Sequence, residues 1–208
     1  MILEKWFGDF MNAKQKEEAA ALYKLHKQMI TTISILDQDM KSAVALWRQD
    51  SSNQFYRRTL VRCGCASIEG TLNLLKNVSG QTADFFGIGL SEEDMEIITE
   101  SRKVIENGKT KTKPKFLPIR DKVKETFRVF TKSHATQINV KYDVPGFQDL
   151  CDTFELRHGL MHPKNHLDLE VSDRSVDTVE RGMTWFNHVL KEVLNKCNEN
   201  LPFHRIVS

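Results

Sequence analysis

Cysteine is scarce in this chain, and the little there is has no metal-binding rhythm. Cys63, Cys65, Cys151 and Cys197 form no Cys-x2-Cys unit of the zinc type, and 208 residues suffice to bury a core without disulfide staples. They read as reduced core residues of a cytoplasmic protein. No run of about 20 apolar residues occurs, which argues against a membrane-spanning helix. The stretch from Met1 to Trp6 has neither a basic start nor a long apolar run, so secretion is not expected. Glycine-rich phosphate loops and dinucleotide fingerprints are missing. No carboxylate or Cys/His cluster has metal-ligand spacing, so the expectation is no metal and no cofactor. Strand signals are nearly missing as well: only residues 136–144 alternate, and weakly.

A strong net charge is also lacking, at +2 from thirty basic and twenty-eight acidic residues, which by itself announces no nucleic-acid partner. The distribution says more. Residues 101–141 hold twelve Lys/Arg against three Asp/Glu, so a polyanion meets that segment first. Within it Lys109, Lys111, Lys113 and Lys115 alternate with Thr and Pro, and read as an exposed basic linker. These four are candidates for RNA binding; the plainer alternative is a solvated, salt-screened surface.

What the chain has in abundance is helical periodicity. Between Ala13 and Trp47 the residues Leu22, Leu25, Met29, Ile33, Leu36, Met40, Val44 and Trp47 advance by threes and fours, predicting one long helix. Asp50-Ser51-Ser52-Asn53 punctuates it and caps a second helix expected to run to about Val78, with Val61, Cys65, Ile68, Leu72 and Leu75 inward. Residues 79–118, marked by Gly80, Gly87, Gly89, Gly108, Pro114 and Pro118, read as an insertion. Inside it Ser91-Glu92-Glu93-Asp94 resembles a capping box opening a short helix through about Asn107, with Gly108 as its C-cap. A third core helix follows from Ile119 to His134, with His134 a packed histidine and Lys122, Lys124, Arg128 and Lys132 outward. The last helix begins at Ser172 or Asp173 and carries the stripe Val176, Val179, Met183, Phe186, Leu190, Val193 and Cys197. The aromatic residues Trp6, Phe7 and Phe10 are expected to dock on the body. The fold class is all-α.

Chemistry concentrates in Phe154-Glu155-Leu156-Arg157-His158-Gly159-Leu160-Met161-His162-Pro163-Lys164. Phe147, Leu150, Cys151, Phe154 and Met161 follow helical spacing, and Arg157 and His158 fall on the same stripe. On an unbroken helix, five positions set two residues about 140° apart. Pro163 disfavours the helical region for His162, so the helix breaks there and His162 can swing back towards Arg157. Earlier in the chain Arg58, Arg62 and Glu69 share a helix face. Glu69, half-buried, needs a partner: either an internal Arg62–Glu69 network, or Arg157 held in place by Glu69.

Arg157, four residues and His162, with polar His158 after the arginine and a helix on either side, resemble the Arg-x(4–6)-His signature of HEPN domains. Tyr56-Arg57-Arg58 through Ile68-Glu69-Gly70 is similar to the family's second helix, and the resemblance spans roughly residues 13–78 and 119–197. It implies a HEPN-like antiparallel helical bundle, one domain over 1–208 with the insertion at 79–118. It further implies a homodimer and a metal-independent endoribonuclease in which the ribose 2′-hydroxyl attacks the adjacent phosphorus. On that reading Arg157 and His162 are catalytic at a dimer cleft: a fixed cation on the phosphate oxygens and a group that exchanges protons near neutral pH. His158, Glu69 and Arg62 support them, and Lys164 joins the RNA-binding lysines. Family members silenced by a nucleotidyltransferase partner commonly carry tyrosine two residues after the histidine; Lys164 stands there, which removes that control. The expected role is a toxin or anti-phage effector, with RNA and an antitoxin or regulatory protein as partners. The alternatives are a non-catalytic RNA- or nucleotide-binding module and a helical dimerisation scaffold; from spacing alone, Arg157 and His162 equally suit a pair that only caps a helix and satisfies its last carbonyls.

Overall fold

The computed structural model describes residues 12–201, so the expected docking of Trp6, Phe7 and Phe10 lies outside the described residues. The architecture is all-α apart from one hairpin: α1 Ala13–Gln49, α2 Gln54–Phe86, α3 Glu92–Thr99, β1 Ser101–Glu106, β2 Lys109–Pro114, α4 Ile119–Ser133, α5 Pro145–Met161 and α6 Asp173–Glu199. Among the described residues no helix is long and apolar enough to cross a membrane. The chain divides into two compact units. The first comprises Leu74–Ile138 with the described parts of Met1–Thr31 and Val193–Ser208; the second comprises Thr32–Asn73 and Asn139–Glu192.

In the first unit α1 starts on a reciprocal cap. Asn12 Oδ1 accepts from the Gln15 amide and Gln15 Oε1 accepts from the Asn12 amide, each at 3.0 Å, which satisfies two amides that a helix start leaves unpaired. Ala19, Leu22, His26 and Met29 of α1, Val123, Phe127 and Phe130 of α4, and Val193 and Cys197 of α6 are buried. Each such large apolar side chain contributes about 1.5–3 kcal/mol on leaving water.

Helix α2 outruns its expected end at Val78 by two turns. Gly80 costs the helix roughly 1 kcal/mol relative to alanine, but Val78, Ser79, Thr82 and Ala83 around it are all buried, and that packing carries the helix through. The real terminator is Gly87, at φ +65°, where Ile88 N–H reaches the Ala83 carbonyl at 2.8 Å and Gly87 N–H the Asp84 carbonyl at 3.1 Å. Only glycine adopts that left-handed turn without strain.

The insertion holds the largest correction. The capping box at Ser91 and Asp94 forms, but α3 stops at Thr99 instead of running to Asn107. Residues Ser101–Glu106 and Lys109–Pro114 pair antiparallel, and Asn107 (φ +52°) with Gly108 (φ +70°) makes the two-residue turn between them. Gly108 is therefore a hairpin residue, not a helix cap. Positive φ at both central positions matches the right-handed twist of the strands it joins, and Asn-Gly is the pair that tolerates it. Of the lysines expected on a linker, Lys109, Lys111 and Lys113 are strand residues; Lys115 follows β2, and its amide closes the hairpin base on the Glu100 carbonyl at 2.7 Å. Residues 136–144, by contrast, form no strand.

In the second unit α1 contributes Met40 and Ala43, α2 the inward stripe from Leu60 to Leu72, α5 Phe147, Leu150, Phe154 and Leu160, and α6 the stripe from Val176 to Leu190. Pro145 and Gly146 form the first helical turn of α5; a proline at the first position gives up an amide that would be unpaired anyway. Helices α5 and α6 meet backbone to backbone: a Cβ on Gly182 would stand 2.7 Å from the Leu150 amide nitrogen. That closeness fixes where α5 runs and so where its C-terminal end delivers Arg157 and His162. Phe147, Leu150, Cys151 and Phe154 of the expected apolar face of α5 are buried, and only its last turn differs, with Leu160 buried and Met161 exposed.

Candidate active site

Helix α5 ends at Met161. His162 adopts φ −130° and ψ 55°, outside the helical region, with its amide bonded to the His158 and Gly159 carbonyls at 3.0 and 3.3 Å. Proline at 163 explains the break. What the break accomplishes differs from the expected convergence on Arg157. The His162 ring packs on the His158 ring, centroids 4.9 Å apart, while Arg157 Nη2 lies 3.4 Å from Glu69 Oε2. Among the described residues no hydrogen bond joins Arg157 to His162.

The Glu69–Arg157 contact rests on the packing of α2. Gly70, next to Glu69, lies so close to α1 that a Cβ there would come 2.9 Å from Leu36 Cδ1. Cys65, one turn earlier, is buried and its thiol donates to the Thr153 carbonyl on α5 at 3.7 Å. Burial pushes that thiol up to about 12; the nearby Arg157 charge pulls the other way and loses. It is a packed thiol, not a nucleophile.

Arg157 and Glu69 are each about one-third exposed, at 36% and 34%. One contact at 3.4 Å leaves most of the five guanidinium donors of Arg157 uncommitted within the protein. His158 and His162 are both exposed. The arrangement thus offers a planar cation for two phosphate oxygens and two imidazoles in contact beside it in the chain.

The remaining predicted residues divide. Arg62 is exposed and, among the described residues, makes no ion pair with Glu69, so the internal Arg62–Glu69 network does not form; Arg157 takes that place. Lys164 is exposed, its amide held by Asp168 Oδ2 at 2.7 Å. Lys109, Lys111 and Lys113 line strand β2, exposed throughout. Lys115 is only half-exposed and is tied to Glu96 at 2.9 Å. The outward cations of α4 are also engaged: Lys122 with Glu100 at 2.9 Å, Arg128 and Lys132 with Asp94 at 2.7 and 2.6 Å. They hold the first unit together instead of awaiting a polyanion.

A clasp went unread in the sequence. Arg57 donates to the Ser51 and Val171 carbonyls at 2.5 and 2.7 Å and pairs with Asp173, and Arg58 donates to the Leu169 carbonyl at 3.0 Å. Gln54 bonds the Val171 backbone from both ends of its amide. The first turn of α2 thereby pins the segment that follows the Arg/His motif. Two consecutive arginines beside a helix start were the only signal. Among the described residues no three His, Cys, Asp or Glu side chains gather as metal ligands. No protein-family model, curated protein or solved structure matches this chain.

Proposed function

We propose that the chain is a HEPN-type endoribonuclease that cleaves RNA without a metal, serving as a toxin or anti-phage effector in the cytoplasm. The observation that carries this reading is the end of α5, where a half-exposed arginine with spare donors is followed by an exposed histidine freed from the helix. Arg157 binds the non-bridging phosphate oxygens and stabilises the charge that builds as the 2′-hydroxyl attacks phosphorus. His162 exchanges the proton: taken from the 2′-hydroxyl, or given to the departing 5′-oxygen. His158, in contact with His162, donates to phosphate. The products are a 2′,3′-cyclic phosphate and a free 5′-hydroxyl. Exposed Met161 and Leu167 on either side of His162 in sequence favour burial against a second copy, and a homodimer presents two histidine sets to one substrate.

Purified protein incubated with total RNA in EDTA is expected to cleave it, and His162→Ala and Arg157→Ala are expected to lose cleavage by at least about 100-fold, the scale on which a general base or an oxyanion donor acts. Full cleavage by both variants sinks the assignment, and loss of wild-type cleavage in EDTA with rescue by Mg²⁺ sinks the mechanism. RNA binding without cleavage by wild type leaves a binding module.

A further inference from the structure

The hairpin carries a strong excess of positive charge. Residues 101–116 carry Arg102, Lys103, Lys109, Lys111, Lys113 and Lys115 against the single acid Glu106. The pairing register sorts them. Arg102 faces Lys113, Val104 faces Lys111, and Glu106 faces Lys109, so these six share one face of the ribbon. Four cations and one carboxylate therefore occupy one side. Successive lysines along β2 are spaced two residues apart, roughly 6.8 Å in an antiparallel strand, close to the step between phosphates of an extended polynucleotide. Glu106 lies among them, accepting from Lys111 at 3.1 Å and from Lys113.

We propose that the β1–β2 ribbon is a binding site for the sugar-phosphate backbone of single-stranded RNA, in which Glu106 occupies the place of a phosphate until RNA displaces it. RNA as the ligand rests on the proposed function; the ribbon itself rests on its own charge and register. Glu106 and its two lysines are solvated, so their mutual attraction is weak and easily exchanged. A phosphate brings the same geometry with more charge along the strand, and the exchange releases counterions. Phe116, 82% exposed two residues beyond β2, adds a ring on which a base can stack. An anionic membrane fits less well. The opposite face pairs Ser101, Lys103 and Ile105 with Pro114, Thr112 and Thr110, and a single isoleucine does not make an inserting apolar face.

The test is fluorescence anisotropy with a labelled single-stranded RNA fully 2′-O-methylated, which cannot undergo attack by its own 2′-hydroxyl, across a salt series. Glu106→Gln is expected to bind at least about threefold tighter at low salt, with a slope steeper by about 0.7 for each lysine it frees. The triple variant Lys109→Ser, Lys111→Ser, Lys113→Ser is expected to bind at least about tenfold weaker, with a slope shallower by about 2. Wild-type affinity and slope in either variant overturn the proposal, as does a change confined to binding of phosphatidylserine vesicles. Because this probe is never cut, a protein that binds it as expected but cleaves no natural RNA refutes the active-site reading alone.

Discussion

Each unit carries a carboxylate set against cations and a pair of histidines, and the two units treat them in opposite ways. In the first, Asp94 is 1% exposed and accepts from Lys132 at 2.6 Å, Arg128 at 2.7 Å and the Ser91 amide at 2.9 Å. Burial alone would raise its carboxyl, but the Lys132, Ser91 and Arg128 hydrogen bonds together hold it far below the usual carboxylate range. His26 and His134 there face each other through Nε2 atoms 3.0 Å apart, both buried. In the second unit Glu69 has one loose contact to Arg157, and the His158 and His162 rings touch in the open. Saturated polar groups hold a fold; polar groups with spare capacity wait for a ligand. On the proposed function the Arg/His end of α5 belongs to the second kind.

The strongest way to break that comparison is to empty the closed site. Asp94→Ala removes a helix cap and strands two cations, each still partly open to water, so stability is expected to fall by about 2–3 kcal/mol. Urea unfolding reads this as a lower midpoint at unchanged slope. Wild-type stability in the variant would mean that saturation is no guide to structural weight. The pH sign follows from the lowered carboxyl: the contribution is complete above about pH 4, the unfolded value, and is lost as pH falls through the folded one.

Smaller in effect is the matching change at the open site. Glu69→Gln keeps the shape and removes the charge from a contact that solvent already weakens, so stability is expected to stay within about 0.5 kcal/mol. The RNA cleavage proposed above reports instead. With Arg157 less firmly oriented, kcat is expected to fall roughly tenfold, about 1.4 kcal/mol of barrier, while KM changes little. Glu69→Asp, which restores the charge on a shorter arm, is expected to recover part of kcat. An effect on KM alone would make Glu69 a binding residue and not a positioning one.

How much of this was legible depends on which signal carried it. The stripes of α2 and α6 repeat over many turns, and the residues they name are buried, because a long amphipathic face tolerates only one rotation against a core. Helix α5 mixes Asp149, Asp152, Glu155, Arg157 and His158 among its apolar positions, and in its last turn Leu160 and Met161 both compete for the inward place; Leu160 takes it. The hairpin was signalled by Asn107-Gly108 between two β-capable runs, and was masked by the capping box upstream, which starts a helix without stating its length. The partner of Glu69 could not be chosen from sequence. Arg62 lies nearer in the chain on the same helix, whereas Arg157 arrives only through the packing of α5 beside Cys65.

The smallest expected effect sharpens the comparison at the histidines. His26 Nδ1 donates to the Leu22 carbonyl at 3.0 Å, so its Nε2 accepts. His134 Nδ1 lies 2.7 Å from the Phe130 carbonyl, which only accepts, so that nitrogen donates too, and the neutral rings meet as two Nε2 acceptors between which one added proton would complete the bond. Burial pushes both rings down, His134 to about 4. An unfolded histidine takes its proton near pH 6.5, so between that value and the folded one the unfolded chain binds more protons and stability rises with pH. The contribution is complete above about 6.5 and drains away towards 4, at no more than roughly 1.4 kcal/mol per pH unit for each proton and about 1 kcal/mol between pH 6 and 5. His134→Gln, which retains a donor and an acceptor but does not titrate, is expected to flatten the stability profile over that window. A variant profile as steep as wild type's would place the proton uptake elsewhere, and the His26–His134 pair would then be no more closed to protons than the exposed pair at His158 and His162.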